Sequence, residues 1–149
     1  MRIDKTNYYL DIAEAVIKRG TCLRRNYGAI IVKNDEIIST GYTGSVRGQV
    51  NCCDKGTCKR TDLNIPSGER YELCMSVHAE QNAIISAARK DMIGSTLYLV
   101  GMTFTNGLYV GGTRPCLMCE RFIINAGIVK VISRITKTEF EEVYNEGVL

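Results

Sequence analysis

Apolar positions at helical spacing open the chain. Within residues 3–18 they fall at Leu10, Ala13, Val16 and Ile17, and this pattern predicts an amphipathic helix. Gly20 follows and is predicted to end the helix. Two short apolar runs come next, at residues 28–32 and 36–40, and the polar residues 33–35 between them indicate a β-hairpin.

Residues 41–75 show no periodic pattern. They are rich in glycine, cysteine and charged residues, and Pro66 and Gly68 stand near their end. Irregular segments of this length are uncommon in compact domains unless they are functional or are held in place. The sequence therefore predicts a long loop that needs some element to fix it.

The second half of the chain alternates between helical and strand patterns. A helix is predicted over residues 77–90 and a buried strand over 96–100. A glycine-rich stretch with a short strand at 108–110 follows, and Pro115 then opens a helix that runs to Asn125 and is capped by Gly127. A strand at 128–132 and a last helix at 137–145 end the prediction. This order indicates an α/β fold with a partly parallel sheet covered on both faces.

Length and composition define the broad class. The 149 residues, 45% of them hydrophobic, predict one domain, residues 1–149, with a full core. A net charge of +3 is too small and too scattered to indicate nucleic-acid binding. No apolar run is long enough to cross a membrane, and the polar first ten residues lack the apolar stretch of a signal peptide, so we expect a cytoplasmic protein. Seven cysteines in that compartment indicate metal ligands rather than disulfides.

Two short motifs carry the chemistry. His78, the single histidine, stands two residues before Glu80, and Pro115 introduces Cys116 and Cys119. One imidazole and two thiolates form the three-ligand set of a catalytic zinc site, which keeps a fourth position for water. A lone Cys-x-x-Cys also occurs in structural and redox sites, but the two motifs in this order favour catalytic zinc. The pattern H-x-E followed by P-C-x-x-C is typical of zinc-dependent nucleobase deaminases.

The predicted reaction is hydrolytic deamination of a cytosine ring. In this reaction Glu80 takes a proton from the attacking water and delivers it to the ring nitrogen N3. The same carboxyl group then protonates the departing amine, and ammonia leaves. Glu80 must therefore lie close to the metal without being a ligand.

With both motifs placed, the chain resembles the cytidine and deoxycytidylate deaminase superfamily, and within it most closely the zinc-dependent dCMP (deoxycytidylate) deaminases. The resemblance covers residues 21–132 and includes TCLRR at 21–25, GAIIV at 28–32, IISTGY at 37–42, NCCD at 51–54, VHAEQNAI at 77–84 and IINAGI at 123–128. It implies a three-layer α/β/α sandwich on a mixed five-stranded sheet and the conversion of dCMP to dUMP. It also implies a homo-oligomer, commonly a hexamer, with dCTP as activator and dTTP as inhibitor.

The resemblance also reveals a departure near the substrate. The family usually has Gly-Tyr-Asn-Gly-x-Pro after the second strand, whereas this chain has Thr43 in place of the asparagine and lacks the proline. The stretch at residues 101–114 is also longer than in the family. The predicted substrate-binding residues are Arg24, Arg25, Thr43, Arg47 and Ala79. The three arginines are candidates to bind a phosphate, although each taken singly is equally well explained as a solvated loop residue.

Five cysteines remain outside the catalytic motif. Some dCMP deaminases carry a second zinc, and by resemblance to them the predicted ligands of a structural zinc are Cys22, Cys52, Cys58 and Cys74. Cys53 is left free, although it could exchange roles with Cys52. Such a site would hold the irregular segment and supply folding energy. The alternative is that these cysteines are simply small buried residues.

Other functions fit parts of the pattern. Deaminases of deoxycytidine, cytidine or guanine use the same zinc motifs, and so do deaminases of polynucleotides. The sequence has no basic groove or stripe of aromatic residues of the kind that binds single strands, which argues against a polynucleotide substrate. A non-catalytic nucleotide-binding module would have no need of Glu80.

Overall fold

The structure, a computed structural model, describes residues 1–146. Along the chain the elements are α1 (Lys5–Ile17), β1 (Arg25–Lys33), β2 (Glu36–Tyr42), β3 (Gly44–Ser45), α2 (Cys52–Lys55), α3 (Lys59–Asp62), a 3₁₀ turn (Tyr71–Leu73), β4 (Ser76–Val77), α4 (Ala79–Ile85), α5 (Arg89–Met92), β5 (Thr96–Thr103), α6 (Leu117–Ala126), β6 (Lys130–Arg134) and β7 (Phe140–Asn145). None of the helices in this described part is long and apolar enough to cross a membrane.

Five strands form a mixed sheet in the order β2-β1-β5-β6-β7. β1 runs antiparallel to both β2 and β5, β5 is parallel to β6, and β7 returns antiparallel to β6. The first two strands form the predicted hairpin, in which Asn34 and Asp35 adopt φ values of 51° and 64°. Two turn residues with positive φ match the twist of the strands they join. The parallel pair β5–β6 is connected through α6, as the alternating pattern predicted.

Helices cover both faces of the sheet. On one face Leu10 and Ala13 of α1 pack on Ile30, Tyr98 and Ile132. On the other face α4, α5 and α6 pack on the neighbouring residues of the same strands, and this core contains Ala29, Ile31, Ala79, Ala83, Met92, Leu97, Leu99, Ile123 and Val131. The three-layer α/β/α sandwich on a mixed five-stranded sheet is therefore confirmed.

A buried arginine fastens α1 to the sheet. The Arg134 side chain on β6 is fully buried, and its guanidinium lies 2.8 Å from a carboxylate oxygen of Asp11 and 2.6 Å from one of Glu14. It also donates to the backbone and side-chain oxygens of Asn7 at 3.3 and 3.2 Å. These bonds offset much of the cost of burying the charge, although Arg134 Nε has no hydrogen-bond partner among residues 1–146.

The prediction of a last helix at residues 137–145 is wrong. This segment forms β7, whose Val143 is buried beside the sheet. Its glutamates favour a helix, but the open edge of β6 offers a hydrogen-bonding partner, and that long-range pairing decides the conformation.

The predicted helix at residues 77–90 is also corrected. It ends with α4 at Ile85, and Ala88 is extended before α5 begins. Met92 of α5 packs in the same core as Ala79 and Ala83 of α4. The irregular segment 41–75 contains only short elements, namely β3, α2, α3 and the 3₁₀ turn, and β3 pairs with β4 just before His78.

α4 lies unusually close to β2. A Cβ atom added to Gly41 of β2 would stand 2.3 Å from the carbonyl oxygen of Ala79, so only glycine allows this approach. Two hydrogen bonds fix the contact: Ser39 Oγ donates to the Ala83 carbonyl at 2.6 Å, and Asn82 Nδ2 donates to the Tyr42 carbonyl at 2.8 Å. The sheet therefore determines where the first turn of α4 lies.

Candidate active site

Two helix N-termini bring the metal motif together. His78 is the N-cap residue of α4, Cys116 is the N-cap residue of α6, and Cys119 lies in the first turn of α6. His78 Nδ1 stands 3.7 Å from Cys116 Sγ and 3.2 Å from Cys119 Sγ. The three ligand atoms lie within 4.8 Å of one another.

The geometry of this triad fits a zinc ion. Zinc bound tetrahedrally by a thiolate at about 2.3 Å and an imidazole at about 2.0 Å would separate the sulfur and nitrogen by about 3.6 Å. The two distances between sulfur and nitrogen, 3.7 and 3.2 Å, lie on either side of that value. One nitrogen and two sulfur donors are also a set that zinc prefers.

Local hydrogen bonds prepare these groups. The backbone N–H of Cys119 donates to Cys116 Sγ at 3.4 Å, which caps α6. The backbone N–H of His78 donates to Gln81 Oε1 at 3.0 Å, which caps α4. The same residues therefore start the helices and present the metal ligands.

The two thiols share protons unequally. The pKa of Cys116 is lowered to about 4 by hydrogen bonds from the Cys119 thiol and from His78, together with the Cys119 backbone N–H, although burial opposes the shift. The pKa of Cys119 is raised, first by this interaction with Cys116 and then by burial. Hydrogen bonding to Cys116 also raises the pKa of His78. Cys116 is thus the group readiest to bind a cation as a thiolate.

Glu80 lies beside the triad and is almost fully buried, with 5% of its surface exposed. Burial raises the pKa of its carboxyl group, and the Cys119 thiol is within hydrogen-bonding reach of it. Glu80 is not part of the metal-binding group itself. A buried carboxyl group with a raised pKa, next to a metal-binding triad, is suited to accept and return protons.

A cavity of about 170 Å³ opens on to these residues. Four arginines line it, namely Arg24, Arg25, Arg60 and Arg114, and Glu80 is the single carboxylate among its lining residues. Tyr27, Thr43 and Tyr71 contribute further polar and aromatic surface. The cavity therefore suits an anionic ligand with a planar ring.

The structure brings some of the predicted binding residues to the cavity and separates others. Arg24, Arg25 and Thr43 line it. Arg47 instead lines a second cavity between β2 and α4. Ala79 is fully buried in the core and is not among the lining residues. Of the five residues predicted to bind the substrate, Arg24, Arg25 and Thr43 therefore line this cavity, whereas Arg47 and Ala79 do not.

Sequence reasoning missed several lining residues. Arg60 and Tyr71 come from the irregular segment 41–75, which gave no periodic signal, and Tyr27 belongs to a strand that reads as core. Arg114 did carry a signal, since it immediately precedes the Pro-Cys motif.

The hydroxyl of Thr43 already has a partner within the protein. Its Oγ1 accepts the backbone N–H of Tyr27 at 3.0 Å, and its own N–H donates to the Tyr27 carbonyl at 3.1 Å. Thr43 therefore joins the end of β2 to β1 at the wall of the cavity.

The remaining cysteines are all free, and Cys52 is buried whereas Cys53 is exposed. The pKa of Cys52 is raised by burial and then by the charges of Cys22, Cys58 and Cys74, so these four groups are neighbours. The backbone N–H groups of Arg24 and Ser76 donate to Cys22 Sγ at 3.4 Å and Cys74 Sγ at 3.5 Å. Within residues 1–146, however, no three ligand atoms outside the triad of His78, Cys116 and Cys119 lie within 4.8 Å of one another.

Comparison with known proteins decides the family. Residues 3–135 match the family described as the cytidine and deoxycytidylate deaminase zinc-binding region. The chain belongs to this family. It is 34% identical over 136 residues to deoxycytidylate deaminase of Mycobacterium phage D29, and the match covers 88% of this chain and 94% of the phage protein. The matching family model describes a zinc-binding region, and the triad of His78, Cys116 and Cys119 lies within the matched residues.

Other relatives are longer. Deoxycytidylate deaminase of Schizosaccharomyces pombe is 32% identical over 126 residues, which are 85% of this chain but 35% of that protein. The chain thus spans about a third of the length of this yeast relative.

Solved structures agree with the family. The dCMP deaminase of cyanophage S-TIM5 matches with a TM-score of 0.62 at 28% identity, covering 90% of this chain and 85% of that chain. That enzyme has also been solved in complex with dCMP and dUMP. Cytidine deaminase of Burkholderia pseudomallei shares the fold, with a TM-score of 0.59 at 15% identity.

Proposed function

We propose that this protein deaminates dCMP to dUMP with release of ammonia, using zinc held by His78, Cys116 and Cys119. The observation that carries the proposal is a buried carboxyl group, Glu80, beside that triad in a cavity lined by four arginines. The names of the relatives support the same substrate, because the phage D29 protein and the S-TIM5 enzyme are both dCMP deaminases.

Zinc and Glu80 divide the chemistry between them in this proposal. Zinc, when bound, supplies a Lewis acid that lowers the pKa of a bound water to about 7. Glu80 accepts the proton of the attacking water and passes it to N3 of the cytosine ring. It then takes the second proton of the former water from the new hydroxyl group on C4 and donates it to the amine, so that the C4–N bond breaks and water and dCMP become dUMP and ammonia. Burial raises the pKa of Glu80, which helps the carboxyl group to hold the proton between the two transfers.

The arginines favour a nucleotide over a nucleoside. Arg24 and Arg25 are exposed at the cavity, where their side chains can reach a phosphate without losing all their hydration. Arg25 also lies close enough to Tyr27 to lower the pKa of its hydroxyl group, against the larger opposite effect of burial. A substrate that lacks the phosphate would leave these positive charges without a counter-ion.

The first test separates chemistry from folding. Glu80→Gln should keep the fold and one zinc at the triad while ammonia release from dCMP falls by at least about 1,000-fold, since the proton carrier is lost. Glu36→Gln, on the exposed hairpin, is the matched control and should keep full turnover. A Glu80→Gln protein that still deaminates dCMP would overturn the assignment.

A second test addresses the substrate. Ammonia release would be compared for dCMP, dCTP, deoxycytidine, CMP and guanine. We expect selectivity for dCMP, and we expect Arg25→Ala to raise KM for dCMP by about 10-fold or more, the loss of one charge-assisted contact. Arg47→Ala, in the other cavity, should leave KM unchanged. Faster turnover of deoxycytidine than of dCMP would exclude the nucleotide assignment.

We also propose a second, structural zinc held by Cys22, Cys52, Cys58 and Cys74. The closeness of Cys52 to the other three cysteines supports this set of ligands, and the backbone N–H groups that donate to Cys22 Sγ and Cys74 Sγ favour thiolates at those two positions. The exposure of Cys53 favours Cys52 as the ligand. Two zinc ions per chain, reduced to one in Cys74→Ser but not in Cys53→Ser, are the expected result. One zinc in the unaltered protein would remove this site.

Assembly, regulation and location remain predictions. We propose a cytoplasmic homo-oligomer, a hexamer by family resemblance, built from the single domain and regulated by dCTP and dTTP. Exposed apolar residues on α6 give support for association, namely Leu117, Met118, Phe122 and Ile124. Light scattering at several concentrations would measure the mass. A monomer throughout would contradict the oligomer, and turnover insensitive to both nucleotides would contradict the regulation.

A further inference from the structure

Tyr71 makes an aromatic contact with the metal ligand His78. The edge of one ring meets the face of the other, with centroids 5.4 Å apart and planes at 85°. This is the T-shaped geometry that aromatic pairs prefer. Tyr71 begins the 3₁₀ turn at the end of the irregular segment 41–75, so a residue with no sequence signal touches the centre of the site.

The contact is important because only one of the two ring nitrogens of His78 has a partner within residues 1–146. Its Nδ1 faces the two sulfurs of the triad. Its other ring nitrogen makes no hydrogen bond to protein within residues 1–146. Histidines that bind metals usually donate that second N–H to a carboxylate or carbonyl, which fixes the plane of the ring. Here the imidazole packs against the ring of Tyr71 instead.

The ring of Tyr71 also contacts a buried arginine, Arg60. The guanidinium carbon of Arg60 lies 4.9 Å from the centroid of the Tyr71 ring. Arg60 is 7% exposed, and it donates from Nε to the Glu69 carbonyl at 3.1 Å and from Nη2 to the Pro66 carbonyl at 3.0 Å. Two carbonyl acceptors and one aromatic face hold the guanidinium in a fixed plane.

We propose that Tyr71 is a positioning residue for His78, and that Arg60 holds Tyr71 in place. A continuous series of contacts thereby runs from backbone carbonyls of the irregular segment 41–75 through Arg60 and Tyr71 to the imidazole of His78. The inference rests on the proposed metal site at His78. It assigns to Tyr71 an effect on metal affinity and coordination geometry, beyond its place in the cavity wall.

Two substitutions separate the ring from its hydroxyl group. Tyr71→Leu removes the aromatic edge and should weaken zinc binding at the triad by about 10- to 100-fold, the usual effect of losing a group that orients a metal ligand. Tyr71→Phe keeps the ring and should bind zinc as the unaltered protein does. Arg60→Met keeps an unbranched side chain but removes the charge and both hydrogen bonds, and its zinc affinity should fall between those of the two Tyr71 variants. Tyr8→Leu, an exposed tyrosine on α1, is the matched control.

The readouts are zinc affinity, by competition with a chelator, and the visible absorption spectrum of the cobalt(II) form. The spectrum reports the geometry of the ligands directly, so a role in overall stability alone would leave it unchanged. His78→Ala, measured in parallel, identifies the part of each signal that belongs to the triad. Circular dichroism confirms that each variant is folded.

The outcomes are decisive in either direction. Weaker zinc binding and shifted cobalt bands in Tyr71→Leu, with Tyr71→Phe unchanged, support the proposal. Affinity and spectrum unchanged in Tyr71→Leu overturn it, and so does an equal loss in Tyr71→Phe, which would assign the effect to the hydroxyl group. If Tyr71→Leu does not fold, an unchanged cobalt spectrum in folded Arg60→Met overturns it instead. Failure of the unaltered protein to bind zinc at His78 would refute the metal site itself, a separate result.

Discussion

Replacing Gly41 with alanine would test how strictly the sheet positions the metal-binding helix. Gly41 lies in β2 directly beneath the first turn of α4, the turn that follows His78 and contains Glu80. An added Cβ would stand 2.3 Å from the Ala79 carbonyl oxygen and 2.4 Å from the Ala83 nitrogen. Both neighbours are backbone atoms, so no side-chain rotation can relieve the overlap.

The size of the effect follows from those distances. Real Cβ atoms essentially never approach another heavy atom closer than 3.0 Å, so helix and strand must separate by about 0.7 Å or more. Overpacking of this kind typically costs about 1–3 kcal/mol of unfolding free energy. A displacement of about 1 Å at a catalytic group typically costs about 100-fold in rate. We therefore expect Gly41→Ala to lose about 2 kcal/mol of stability and about 10- to 100-fold in kcat/KM for dCMP.

The assay uses urea unfolding and ammonia release on the same zinc-loaded samples. Gly111→Ala is the control, because a Cβ there meets no atom within 4 Å. It should match the unaltered protein in both measurements. If Gly41→Ala is as stable and as active as Gly111→Ala, the close approach of β2 to α4 does not position the site, and the reasoning fails.

Three further predictions concern stability. Arg134→Met removes the buried guanidinium that binds Asp11 and Glu14, and it should lower the unfolding free energy by about 3 kcal/mol in urea titrations. A loss below about 1 kcal/mol would show that these ion pairs contribute little to stability. Burial raises the pKa of Asp11, but hydrogen bonds from Arg134 and Lys137 outweigh burial and hold it below its ordinary value of 3.8. The stabilisation is therefore present above pH 3.8 and is lost as the pH falls through the lowered pKa, so the stability difference between the unaltered protein and Arg134→Met should narrow in acid; a constant difference would refute this. Removing zinc with a chelator should lower the Tm in scanning calorimetry, and added zinc should restore it; a Tm that does not respond would argue against a metal that stabilises the fold.

The elements that the sequence predicted well are those with a strong local signal. The hairpin between β1 and β2 follows from two apolar runs around Asn34 and Asp35, and α6 follows from Pro115 and Gly127 at its ends. The last segment was predicted as a helix because its glutamates have that local preference. Its conformation depends instead on β6, which precedes it in sequence but whose free edge exists only once the sheet has formed.

Some residues of the candidate site could also be named from local sequence signals, whereas the positions of others depend on the fold. His78, Glu80, Cys116 and Cys119 could be named from spacing and donor chemistry, and the structure brings the three ligand residues together at two helix N-termini. Arg47 was named with the same reasoning as Arg24, yet the two line different cavities. An exposed loop arginine carries no local information about the direction in which its segment turns.

The sequence by itself determined the family, the class of fold and the chemistry of the metal-binding triad, because these depend on residue types at short, fixed separations. Only the tertiary structure decided that Tyr71 packs on His78 and Arg60 on Tyr71, that Gly41 allows α4 to approach β2, and that β7 is a strand. Each of these depends on contacts between residues distant in the sequence or on space left by a missing side chain. The positions of such neighbours are defined once the sheet and its covering helices have packed.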